Sequence, residues 1–316
     1  MVFGISAMIL VGASWTLSGY AMGKAPQKNV DVSVLLFYSM GIAALISLFI
    51  GMLYGMPSAA PMVLAIIFGS LILGGIANYW QLDLMAIAMQ KGHNGIVWSI
   101  IQSGFIFPFF MGIMFFGVPF TWVRMVAFAA AVISIILFGV AQGGKSSGKW
   151  LLPTFGAFLA TGISQCLVNL PSYLEGSEGV SSIWSTCGLC AGFVFGALSR
   201  NICAPRKFAA MLRSQVHNVS LWTLTAVFLF MDIIVNYFLL FPGMDALAKA
   251  GAGAVAYPIM VCVCLLVFDL FSLMVLKEKH RPVQWVALIL CFIGVVGLSI
   301  DWTEPEVLNT IKKLFL

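Results

Sequence analysis

The chain is a succession of apolar runs of roughly 20 residues, each closed by Lys, Gly, Pro or Asn. A helix needs about 20 such residues to cross the hydrocarbon core of a bilayer. The runs fall at about 2–21, 32–54, 62–88, 95–116, 120–141, 151–170, 181–199, 219–241, 254–276 and 283–300. They predict ten spans, the third long enough to tilt. The first run is as long as a full span and has no basic lead-in, so it is expected to be a helix rather than a cleaved leader. The connections are short. The central stretch Ala141–Trp150 is polar and rich in Gly and Ser, which reads as a linker. After Trp302, the residues Val307, Leu308, Ile311, Leu314 and Phe315 recur at helical spacing beside Lys312 and Lys313. That pattern predicts a helix lying in the membrane interface.

Composition narrows the class. Hydrophobic residues make up 61% of the 316 and charged residues 9%, with a mean hydropathy of +1.05. A soluble domain has about 45–50% apolar and about 25% charged residues. The expected fold is therefore an all-α integral membrane protein, and a nucleic-acid binder, a disordered chain and a secreted disulfide scaffold are excluded. The seven cysteines lie scattered in apolar stretches and read as small core residues. Of the 16 basic residues, 12 fall in the connections after the odd-numbered spans; Arg124, Lys249, Lys312 and Lys313 fall on the other side. The positive-inside rule then places both termini outside.

The two halves resemble each other. Asn78-Tyr79-Trp80 in the third run recurs as Asn236-Tyr237-Phe238 in the eighth, Met85 and Gly92 as Met244 and Gly251, and Phe3-Gly4 as Phe155-Gly156. Five helices is an odd number, so a duplicated five-helix unit enters the membrane from opposite sides in its two copies. The expected organisation is two inverted repeats, 1–143 and 151–301, joined by a linker at 144–150 and followed by the interfacial helix at 302–316. In such folds substrate binds near the midplane between the repeats.

Ten spans in two halves, glycine near the start of the first and sixth, and Leu276-Lys277-Glu278 closing the ninth resemble the drug/metabolite transporter superfamily. Asn78-Tyr79, the basic connection ending His217-Asn218-Val219, and Leu276-Lys277-Glu278 are similar to its L-rhamnose–proton symporter branch. The resemblance implies a transporter of the bacterial cytoplasmic membrane. The first half departs from the superfamily pattern: Val118 stands roughly where the duplicated unit often carries a Glu, so Glu278 has no counterpart.

Charges within spans carry the candidate chemistry, because each costs at least about 2.5–3.5 kcal/mol at the bilayer centre. Asp232 lies near the middle of the eighth run with no basic residue in its own helix. A carboxylate that alternates between wet and dry surroundings binds and releases a proton, so Asp232 is the first candidate for proton coupling. The alternative is a protonated structural Asp bonded to a neighbouring helix. Asp269, eight residues before Lys277, is a second proton site or a structural partner of a nearby Lys. Asp83, Arg124 and Glu278 read most simply as interfacial charges.

The uncharged polar set is Trp15, Asn78, Tyr79, Gln81, Trp98, Gln102, Gln165, Asn169, Asn236, Tyr237 and Tyr257. In lipid, amides and phenols need partners or a lined cavity. Amides pair with hydroxyls and aromatic faces stack on sugar rings, so Trp15, Asn78, Tyr79, Trp98, Gln102, Gln165, Asn236, Tyr237 and Tyr257 are the candidate substrate residues. The alternative for each is interhelical bonding, worth about 0.6 kcal/mol per pair.

No Walker loop, dinucleotide glycine pattern, catalytic triad or metal motif stands out. The expectation is a proton-coupled secondary transporter of a small neutral metabolite, best matched by a monosaccharide, acting as monomer or homodimer without cofactor, metal or catalytic residues. The rival within transport is an exporter of amino acids or organic cations, with Asp232 and an aromatic box holding the cation. A third class is an intramembrane enzyme or sensor built on Asp232 and Asp269.

Overall fold

The computed structural model describes residues 1–90, 94–119, 121–141, 149–274 and 281–299. Among them the secondary structure is helical throughout. The helices are α1 (Val2–Lys24), α2 (Val32–Tyr54), α3 (Pro61–Met89), α4 (Asn94–Gln102), α5 (Ile106–Phe116), α6 (Trp122–Ala141), α7 (Leu151–Asn169), α8 (Ser182–Arg200), α9 (Pro205–Gln215), α10 (Val219–Leu229), α11 (Phe241–Lys249), α12 (Ala256–Met274) and α13 (Pro282–Ser299). Among the described residues, six helical rods are long and apolar enough to cross a membrane, and four shorter apolar ones accompany them. Large apolar side chains such as Leu45, Phe49, Met114 and Ile289 point outward without protein cover, as a lipid-facing surface requires. The protein is a helical multi-pass membrane protein.

Local chemistry sets several helix ends. The Asp31 carboxylate caps α2, accepting from the backbone N–H of Ser33 at 2.9 Å and Val34 at 3.2 Å. Asn218 caps α10 by accepting from Ser220 N–H at 3.0 Å. Three expected elements differ. The fourth run is not one helix: α4 and α5 meet at a 3₁₀ turn over Ser103–Phe105, because Pro108 has no N–H to give the Gly104 carbonyl. The eighth run does not stop at 241. It continues from α10 through a π-helical segment, Phe230–Leu240, into α11. The basic seventh connection is not a loop but carries α9. The interfacial helix expected at 302–316, the Leu276-Lys277-Glu278 end of the ninth run, and all of the linker except Lys149 and Trp150 lie outside the described residues.

The packing is close and repetitive. α3 has 29 residues, about 44 Å at 1.5 Å per residue, and runs along α7 and α8. The α10–α11 rod lies along α1 and α2 in a similar way. α2 faces α8, α6 pairs with α13, α1 crosses α12, and α7 crosses α4 and α5. α4 rests on α6, and α12 on α13. The α3–α8 contact depends on absent side chains: a Cβ on Gly75 would sit 2.2 Å from the Leu189 carbonyl oxygen, and one on Gly192 2.1 Å from that of Ile72. Small residues let helix backbones approach in lipid, where no hydrophobic force joins them. At the end of this contact Arg200 Nε donates to Asp83 Oδ2 at 3.0 Å, with the Arg half-exposed. A pair so placed contributes under about 1 kcal/mol, so the glycine contact, not the ion pair, holds α3 to α8.

Candidate functional site

A cavity of about 190 Å³ lies between the rods. Trp15 of α1, Asn78 and Gln81 of α3, Trp98 and Gln102 of α4, Gln165 of α7, Asp232 and Asn236 of the π-helical segment, and Tyr257 of α12 all line it. Drug-sized ligands occupy pockets of about 300–1,000 Å³, so this one suits a small molecule. Among the described residues, no Lys, Arg or His lines it.

The π-helical segment aims its polar groups. In an α-helix, residues four apart drift by about 40° per step, because a turn holds about 3.6 residues. Phe228, Asp232, Asn236 and Leu240 are successively four apart, yet all four line the cavity. The wider π turn offsets the drift. At its end Pro242 cannot donate to the Phe238 carbonyl, and the Phe241 N–H bonds to the Asn236 oxygen, five residues back. Such segments are rare and gather at functional sites.

Asp232 is 8% exposed, and its Oδ2 is buried without a hydrogen-bond partner. Gln165 Oε1 is likewise buried and unpartnered. Unmade bonds on buried polar atoms cost about 1–3 kcal/mol each, so both acceptors are open to a ligand or water. Trp15 and Tyr257 face each other at 6.4 Å between ring centroids. Ser164 also lines the cavity, but its hydroxyl is engaged, donating to the Gly74 carbonyl at 2.9 Å.

Two candidate residues stand elsewhere. Tyr79 is turned about 100° from Asn78 around α3; it is buried and packs edge-on against Phe193, centroids 5.4 Å apart. Tyr237 is turned away from Asn236 into a second hollow of about 690 Å³, lined also by Glu175, Glu178, Asp245 and Lys249. Asp269 belongs to α12, but its side chain lies outside the described residues. Asn169 lies beyond the cavity, its Nδ2 donating to the Gly253 carbonyl at 3.4 Å. The sequence reasoning overlooked Ser18, Cys190, Phe193 and Phe228, which line the cavity as well. The Cys190 thiol is free. Nothing in the sequence distinguishes these small or aromatic residues from ordinary core.

A wall separates the two hollows. The Tyr173 ring stacks on Phe116 at 4.1 Å. Its hydroxyl fills space beside Gly112 and Gly253, where a Cβ would come within 2.9 and 2.5 Å of it. With Asn169 and the buried Tyr257, this closes the cavity toward the acidic 170–182 connection. Toward the Lys24 end of α1 and the C-terminal end of α3 the lining residues Ser18, Gly19, Gln81 and Leu82 are part-exposed. Among the described residues, no three His, Cys, Asp or Glu side chains converge to hold a metal.

No family model matches the sequence, and no curated protein matches it. Several solved structures resemble the chain; one of them, a crystal structure, does so with a TM-score of 0.60 at 11% identity, covering 95% of this chain and 97% of that one. At that identity the likeness is one of fold.

Proposed function

We propose that the chain is a proton-coupled secondary transporter of a small neutral metabolite, a monosaccharide by preference, working by alternating access. The observation that carries this reading is the meeting of five amides, two indoles, a phenol and one carboxylate in a single cavity, with no basic group among the described residues that line it. Amides and ring faces suit hydroxyls and the apolar face of a sugar. The lone carboxylate suits a proton, because a permanent charge there is costly.

Ten crossings in two inverted halves belong to the same proposal, and the packing supports it. Exchanging the first five crossings for the last five turns each main contact into another. α3 on α7 becomes the α10–α11 rod on α1, and α1 on α12 becomes α7 on α4 and α5. α2 with α8 and α6 with α13 map onto themselves. Asn78 and Asn236 stand in corresponding rods and line the same cavity, as do Trp98 and Tyr257. Closure toward the acidic connection and exposure toward the Lys24 end of α1 make this an inward-facing arrangement if the termini lie outside. The bacterial cytoplasmic membrane, the drug/metabolite transporter superfamily and its L-rhamnose–proton symporter branch are part of the reading. They rest on the charge distribution and on the short motifs of the first and second halves.

The test is a melting-temperature screen of the purified protein against neutral sugars, amino acids and organic cations. Neutral sugars are expected to stabilise it. Asn78→Ala and Asn236→Ala should each weaken that binding about tenfold, since a lost partner costs about 1–3 kcal/mol. Tyr79→Phe and Tyr237→Phe should leave binding unchanged. Stabilisation by amines alone would instead favour the exporter reading, with Asp232, Trp15 and Trp98 as a cation box.

A further inference from the structure

We propose that α9 and the connection beside it form a docking surface for the headgroups of anionic lipids. The helix joins the end of α8 to the start of α10, so it lies at the level where two membrane-length rods leave the lipid. Its two faces differ. Phe208, Met211, Leu212 and Gln215 share one face at spacings of three, four and seven. That face is already covered by protein. Phe208 meets Phe37 of α2 edge-on at 5.3 Å, the Tyr38 hydroxyl donates to the Leu212 carbonyl at 3.3 Å, and Gln215 Oε1 accepts from Asp31 N–H at 2.9 Å. Arg206 and Arg213, seven apart, lie on the opposite face with Lys207 at its flank, and all three are exposed.

Three further observations favour a lipid surface over open water. The apolar residues that flank the helix have no protein cover: Ile202 is 74% exposed and Val219 78%. A basic helix with apolar shoulders is the pattern of a segment lying in the interface. Beside it, the Trp222 indole N–H donates to the Val216 carbonyl at 2.7 Å, with its ring 5.5 Å from that of Tyr38. Such rings sit at headgroup depth. Charge is also gathered here by the fold. Asn218 Nδ2 donates to the Lys28 carbonyl at 3.3 Å, which brings the exposed Lys28 beside the end of α9. No carboxylate occurs between Arg200 and Val219. Two carboxylates on this side are engaged elsewhere, Asp31 as the α2 cap and Asp83 with Arg200. Basic clusters of this kind on amphipathic helices attract anionic lipids.

The test uses the full chain in neutral detergent, titrated with phosphatidylglycerol, phosphatidylcholine or glycerol phosphate. Melting temperature and lipids retained in native mass spectrometry are read together. Phosphatidylglycerol should bind and stabilise, and the other two should not. The stabilisation should fade as salt shortens the screening length to about 3 Å near 1 M. The triple variant R206Q/K207Q/R213Q should bind phosphatidylglycerol about 100-fold more weakly, with an unchanged melting temperature in phosphatidylcholine. K249Q, on the other side of the protein, should bind as the parent does. Equal stabilisation by phosphatidylcholine, equal stabilisation by glycerol phosphate, salt-independent binding, or undiminished affinity in the triple variant would each overturn the proposal.

Discussion

Asp232→Asn is expected to abolish uphill accumulation of substrate while downhill exchange continues. The substitution keeps the shape of the side chain in the cavity and removes the group that takes a proton. One proton falling through one pH unit releases about 1.4 kcal/mol, enough to hold substrate about tenfold above its surroundings. In proteoliposomes under such a gradient the parent protein should approach that ratio, and the variant should stop near one. Counterflow of labelled against unlabelled substrate, which needs no gradient, should proceed in both. Accumulation by the variant would refute Asp232 as the coupling group. Loss of counterflow in the variant would make the carboxylate a binding group instead.

The second large effect lies in the frame. Gly75→Ala should destabilise the protein by about 1–3 kcal/mol or more. Its Cβ would press within 2.2 Å of the Leu189 carbonyl oxygen and 2.6 Å of the Phe193 nitrogen, both backbone atoms of α8. Neither atom moves without moving the helix. Gly69→Ala, six residues earlier in α3, meets nothing within 4 Å and should be neutral or gain up to about 1 kcal/mol in helix propensity. Melting curves of the two variants in one detergent decide the matter. Equal behaviour would mean that α3 and α8 are held by something other than backbone approach.

How much of this was legible in the sequence depends on the kind of signal. Apolar runs translate directly into rods: the second was expected at about 32–54 and forms Val32–Tyr54, the third at about 62–88 and forms Pro61–Met89. Polar residues within those runs are conspicuous because lipid leaves few reasons for them. Trp15, Asn78, Trp98, Gln102, Gln165, Asp232, Asn236 and Tyr257 stand out for that reason, and they line one cavity. The two tyrosines did not follow their asparagines, because adjacent residues on a helix point about 100° apart. That geometry was available beforehand; the paired Asn-Tyr motif masked it. The π-helical segment was harder to foresee. Pro242 is visible, but whether the rod stops there or widens to pass it is settled by packing against α1 and α8. The extension of the eighth rod to Lys249 follows from the same choice. α9 was hidden because its basic residues read as a solvated connection, while its apolar face, Phe208 to Gln215, is only two turns long. The glycines at 188, 192 and 196 carry a recognisable close-packing spacing, and their partner on α3 becomes evident only in three dimensions.

A single engineered thiol gives the most direct test of whether one central cavity opens alternately to the two sides. Leu189 lines the cavity and takes no polar part in it. In a chain whose seven native cysteines are replaced, Leu189→Cys can be offered a membrane-impermeant maleimide from either face of oriented vesicles. At rest it should react from the face bearing Lys24, Lys28 and α9. With substrate and an inward proton gradient it should become reactive from the face bearing Glu175 and Glu178, while reaction from the first face falls. Reaction from one face under every condition, or from neither, would contradict alternating access through this cavity.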